Sequence, residues 1–201
     1  MLFKQDSMSY DIYLYKSKAG RPDEDEADQV IEADNDKWAE KEINPYIKLA
    51  IVKALTEFNP TLQAFDFHYG DIAKLTVNTI EEEQNKFDHI EINTSEGFAA
   101  VRLTVYNNHV FITVPYWYQG DDAKQLFKDI KSYIKIIRET AGYFVSDPQT
   151  GQVFDPAENN FEGLDKYLSI SEHLDEIISP GNSKPVSDST QKIKKPWWKL
   201  W

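Results

Sequence analysis

Residues 98–118, FAAVRLTVYNNHVFITVPYWY, read as a β-hairpin. Two runs rich in β-branched and aromatic residues, about 99–106 and 109–116, flank Asn107 and Asn108. Asparagine tolerates positive φ, so a two-residue primed turn fits there. That turn sets Tyr106 against His109, Val105 against Val110, Leu103 against Ile112 and Val101 against Val114. Side chains alternate along a strand, so those last six, all aliphatic, share one face. Arg102, Thr104, Tyr106, His109, Phe111 and Thr113 share the other. A slip of one residue would mix the two sets, which favours this parity.

The preceding run, residues 87–94 (FDHIEINT), alternates in the same way, and TSEG at 94–97 makes a turn-like break. Placing Ile90 and Ile92 on the aliphatic face, opposite Leu103 and Val101, sets Glu91 opposite Arg102 and His89 opposite Thr104. The loop length leaves this register open by two residues. Two strand spacings of ~4.8 Å and two residues of ~3.4 Å put His89 and His109 roughly 12 Å apart. A shared metal needs ligands within about 2.0–2.1 Å of one ion. The pair with Glu91 is therefore not read as a metal centre, and no cofactor is expected.

With 201 residues the chain is long enough for one domain with a full core. Its formal net charge of −12 disfavours non-specific nucleic-acid binding, which needs positive surface, and suits a basic partner. The absence of cysteine excludes a disulfide framework and thiol chemistry. The opening MLFKQDSM lacks the apolar core of a signal peptide, and no run is long enough to span a bilayer. A cytoplasmic protein is the expectation.

Residues 10–16 (YDIYLYK) are apolar on both parities, as in a strand covered on both sides. Residues 22–33 predict a short acidic helix, its charges read as a solvated face. Asn44-Pro45 supplies a cap and a first-turn proline. Ile47, Ile51, Ala54, Leu55 and Phe58 then keep helical spacing until Asn59-Pro60. Residues 64–69 (AFDFHY) alternate and predict a strand with one wet face. Thr79 and Glu82 stand at capping-box spacing and open a helix to about Lys86. The clearest helix runs from about 121 to 139, with Leu126, Phe127, Ile130, Tyr133, Ile134 and Ile137 in one stripe and Gly142 as its stop. Residues 143–154 read as a second hairpin about Asp147-Pro148-Gln149-Thr150-Gly151. Residues 161–178 read as helical with a break near Ser169. A single domain over 1–180 is followed by a linker and a flexible basic, aromatic tail over 181–201, ending KIKKPWWKLW. From Gly181 on, five lysines and one aspartate give a net of +4, which leaves −16 on the preceding residues.

No serine sits in a G-x-S-x-G turn, and there is no P-loop or G-x-G-x-x-G. Asp88 beside His89 is a generic acid–base pair with no third group. Two surfaces carry contact chemistry instead. One is the mixed face of the sheet: His89, Glu91, Arg102, Thr104, Tyr106, His109, Phe111 and Trp117. Aromatics with Arg and His are the composition of interface cores, unless another helix of the same chain covers that face. The other surface is the tail, through Lys194, Lys195, Trp197, Trp198 and Trp201. Such a segment docks on an acidic partner, settles at a lipid interface, or folds back on the acidic body.

Residues 8–16, MSYDIYLYK, and residues 142–156, GYFVSDPQTGQVFDP, together resemble a group of small bacterial proteins. These open MSYD followed by a strand and carry a DPQTG-type turn after a long helix. Some of them resemble immunity proteins of polymorphic or secreted toxin systems. Where the group has an aromatic before the Asp-Pro turn, this chain has Ser146. The resemblance carries over no catalytic residue. It implies an acidic, cytoplasmic, non-enzymatic protein that binds and occludes a toxin.

The expected architecture is α+β: an antiparallel sheet about the central hairpin, with the helices at about 45–58 and 121–139 on its aliphatic face. The alternatives to toxin neutralisation are a peripheral membrane or scaffold role through the tail, and a small enzyme using the mixed face.

Overall fold

A computed structural model describes residues 9–32, 45–65, 67–86, 89–94, 101–158 and 161–178, and the fold is α+β. Among the described residues, seven strands form one antiparallel sheet. They are β1 (Ser9–Tyr15), β2 (Leu62–Ala64), β3 (Ile90–Thr94), β4 (Arg102–Val105), β5 (His109–Pro115), β6 (Phe144–Asp147) and β7 (Gln152–Phe154), in the order β2-β3-β4-β5-β1-β6-β7. The helices are α1 (Glu24–Glu32), α2 (Pro45–Phe58), α3 (Tyr69–Thr76), α4 (Ile80–Lys86), α5 (Gly120–Ala141) and α6 (Gly163–Ile178). No described helix is long and apolar enough to cross a membrane.

The hairpin pairs in the expected register, but neither Asn107 nor Asn108 has positive φ, so the turn is not the primed type expected. Val105 meets Val110, Leu103 meets Ile112, and Tyr106 N donates to His109 O at 2.9 Å. All six aliphatic residues of that face are buried, and Tyr10, Ile12 and Leu14 of β1 extend the face across β5. Against it lie Ile51 and Leu55 of α2 and the whole apolar stripe of α5. Helical spacing delivers each of those side chains to one side, so burial of the stripe and of the sheet face is a single hydrophobic event. Gly142 ends α5 at φ 74°, with its N–H donating to Arg138 O. The capping box forms as well: Thr79 N donates to Glu82 Oε2 at 2.7 Å, and Glu82 N to Thr79 Oγ1 at 3.1 Å.

Three further expectations are corrected. The pairing of β3 with β4 is offset by two residues: Ile90 meets Val105 and Ile92 meets Leu103, so Glu91 faces Thr104 and Asn93 faces Arg102. The offset keeps the apolar parity, which is why sequence patterning does not distinguish the two registers. The strand placed at 64–69 lies at Leu62–Ala64, and Tyr69 begins α3. Phe65, Phe67 and Tyr69 pack on one another, with ring centroids 5.0 and 5.8 Å apart, instead of lining a sheet. α6 runs without a break at Ser169; Ser171 instead donates its hydroxyl to Tyr116 O at 2.9 Å. Asn44, Phe87, Asp88, residues 99–100 and the whole tail, with Lys194, Lys195, Trp197, Trp198 and Trp201, lie outside the described residues.

β1 is clamped at its start. Tyr10 Oη donates to Asp147 Oδ2 at 2.5 Å, and Asp147 also accepts from Gln149 N and Thr150 N. Its backbone carbonyl takes Gly151 N at 2.8 Å, with Gly151 at φ 68°, which closes the turn between β6 and β7. The Tyr10 ring meets Phe127, Tyr167 and Tyr116 edge-on, with centroids 5.6, 6.0 and 6.4 Å away. α6 starts so close that a Cβ on Gly163 would stand 2.7 Å from Tyr10 Oη and 2.5 Å from Phe161. Tyr10→Phe should therefore lower stability by about 1–3 kcal/mol through the donor lost to a buried carboxylate. Gly163→Ala should cost about 1–3 kcal/mol through overpacking. Urea midpoints at unchanged m-value are the measurement for both.

Candidate functional site

The second face of the sheet is laid out in rows by the cross-strand register. The first row is His89, Tyr106, His109, Tyr15 and Phe144; the second is Glu91, Thr104, Phe111, Tyr13 and Ser146; the third is Asn93, Arg102, Thr113 and Asp11. One end is covered by the chain itself. Ala27 of α1 packs with Tyr15 and Phe144, and Tyr15 Oη donates to Asp23 O at 2.8 Å. The middle is only half-buried. There Tyr13 and Phe111 stack with ring centroids 4.7 Å apart and an interplanar angle of 21°. Glu91 and Arg102 flank the stack and pair diagonally at 3.5 Å, with the Arg102 side chain 52% exposed. The predicted ion pair thus forms across the offset register.

The sequence-derived contact set divides. Glu91, Arg102, Phe111, Tyr106 and His89 reach the surface in part, and the register brings them together with Tyr13 and Asp11 of β1. Thr104 and His109 are buried and present no surface. Trp117 is half-exposed but lies past the end of β5, in the turn leading to α5. Tyr13 is absent from the sequence-derived set because the place of β1 beside β5 is a long-range pairing; its alternation with buried Ile12 and Leu14 was the available signal. A second apolar patch was also missed: Leu75, Val77 and Ile80 at the α3–α4 turn are exposed, and Val77 holds φ 60°. A β-branched residue is strained there.

His89 and His109 are closer than the sequence register implied, because both lie in one row. The phenol of Tyr106 stands between them, with its centroid 5.1 Å from His89 and 4.1 Å from His109. No group of three or more His, Asp or Glu among the described residues is placed to hold a metal ion. Burial holds Tyr13 up at about 12, reinforced by Asp11 and Tyr106, so its phenol stays neutral beside Phe111. His109 is pushed down to about 4, first by burial and then by repulsion from His89. Its Nδ1 lies 2.8 Å from Asn108 Oδ1, which suits the neutral ring with the proton on Nδ1. The face is thus a neutral aromatic strip with a charged pair at its side, suited to contact rather than proton transfer.

No family model, curated protein or solved structure matches the chain.

The buried imidazole makes stability pH-dependent in a defined direction. The native state keeps His109 neutral, whereas the unfolded chain takes up a proton near the ordinary value of 6.5. Its share of stability is complete above that value and is lost as the pH falls toward about 4. Between about pH 7.5 and about pH 5 this share amounts to about 2 kcal/mol. Urea titrations at the two pH values should show a drop of that order, and a smaller drop for His109→Gln.

Proposed function

We propose that this chain is a bacterial interaction protein of the immunity type, which neutralises a toxin in the cytoplasm by binding and occluding it. The observation that carries the proposal is the half-open strip on the mixed face. The Tyr13–Phe111 stack offers rigid aromatic area, and Arg102 with Glu91 offers directional polar contacts at its margin. Aromatic anchors beside arginine dominate binding energy where they are desolvated by a partner. The net charge of −12 adds long-range attraction for a basic surface. The resemblance of the MSYD and DPQTG stretches to immunity-like proteins points the same way. Occlusion requires no catalytic group on this chain; a basic active-site surface covered by an acidic, aromatic face is excluded from its substrate.

The proposal predicts a toxin gene beside this one, and the direct test pairs this protein with that gene's product. Co-expression should protect cells, and the purified proteins should bind with an association rate that falls as salt rises. Tyr13→Ala with Phe111→Ala should weaken binding by at least about 2 kcal/mol, roughly thirtyfold in Kd, with the fold retained. Failure to bind or to protect, or full affinity in the double variant, contradicts the assignment.

A further inference from the structure

The turn between α3 and α4 carries aliphatic side chains into solvent. Leu75 is 85% exposed, Val77 92%, and Ile80 about half. Val77 is also the one non-glycine residue at positive φ among the described residues, with φ 60° and ψ 25°. Glycine or asparagine ordinarily takes this place after a helix, and a β-branched residue is an outlier there. So exposed a side chain gains nothing from burial to offset its strain, and strain of this kind gathers at contact sites. The turn is firmly built. Val77 N and Asn78 N both donate to Ala73 O, the second at 3.2 Å, and the Thr79–Glu82 box closes the first turn of α4. A knob held in this way loses little freedom when it binds.

We propose that Leu75, Val77 and Ile80 are a second docking point for the basic partner proposed for the mixed face, and the inference rests on that reading. They enter an apolar recess of the partner that is rimmed by lysine or arginine. Two observations choose this occupant. The first is charge. Glu81 and Glu82 are exposed beside the knob, while Lys74 is taken up by Asp71 at 2.9 Å. An acidic border disfavours anionic lipid, and it disfavours a second copy of a chain whose net charge is −12. The second is continuity with the aromatic strip. The Tyr106 ring meets His89, His89 meets Phe67 at 5.2 Å, and Phe67 stacks on Tyr69, the first residue of α3. A run of rings thus joins the mixed face to the helix that carries the knob. The eight residues of α3 set Val77 about 12 Å beyond Tyr69. An interface of roughly 20–30 residues a side spans that step.

Val77→Gly in the full-length protein separates contact from structure. Glycine takes φ 60° freely, so the urea midpoint should stay level or rise. The Kd for the product of the neighbouring toxin gene should nevertheless rise about tenfold or more. Leu75→Ser should weaken binding as well, and Glu81→Lys should lower the association rate. Tyr13→Ala with Phe111→Ala is the reference for the strip. Full affinity in Val77→Gly and Leu75→Ser, with the strip variant weakened, overturns the knob and leaves the strip standing. Weakening by the knob variants alone keeps the knob and removes the strip. No binding by the wild-type chain overturns both. A clearly lower urea midpoint for Val77→Gly would assign Val77 to the fold and overturn the knob. So would free wild-type chains that pair in sedimentation velocity while Val77→Gly chains do not, which would give the knob to a second copy.

Discussion

Tyr10 is the residue on which the assembly of this fold depends. Its hydroxyl satisfies a buried carboxylate 137 positions away in sequence, and its ring touches α5, α6 and the turn after β5. β1 enters between β5 and β6 and pairs with both, so the two hairpins of the chain become one sheet only through it. Asp147 would be costly at this depth without donors; burial raises its pKa, and the bonds from Tyr10 and the turn amides oppose that rise. A second buttress stands nearby, where Arg138 donates to both Asp155 oxygens at 2.7 Å and lies over the Phe144 ring. The opening strand and the turn between β6 and β7 therefore meet in a structural clamp, in which Tyr10 and Asp147 have a packing role.

That clamp has a consequence for function. With β1 fixed in the middle of the sheet, Ile12 and Leu14 join the core while Tyr13 is left on the opposite face beside Phe111. One strand thus contributes to both the hydrophobic core and the aromatic strip. Among the described residues α1 packs on the Tyr15–Phe144 end of that strip, and Tyr13 and Phe111 in the middle are half-buried. Core and contact face are set by the same register, so a change of pairing that moved one would move the other.

The parts legible from sequence are those set by local period. The six hairpin aliphatics, the α5 stripe and the Thr79–Glu82 box each declare themselves within a few residues. What was not legible depends on distance or depth. The β3 register needed the length of a loop, and the alternative pairing differs by an even number of residues, which patterning tolerates. α3 buries only Ala73 among its side chains and exposes Leu75, so its period carries little signal. Parity assigned Thr104 and His109 to the mixed face correctly, but it carried no information on how deeply they would be buried there, His109 under the stacked Tyr106 ring.

The most direct measurement is hydroxyl-radical footprinting of the free, full-length protein, read residue by residue by mass spectrometry. Tyr13 and Phe111 should be oxidised readily, along with exposed Trp117, while Tyr10, Tyr143 and Tyr167 stay protected. Protection of Tyr13 and Phe111 equal to that of Tyr10 would mean that the chain covers its own mixed face, and would contradict a contact role for it.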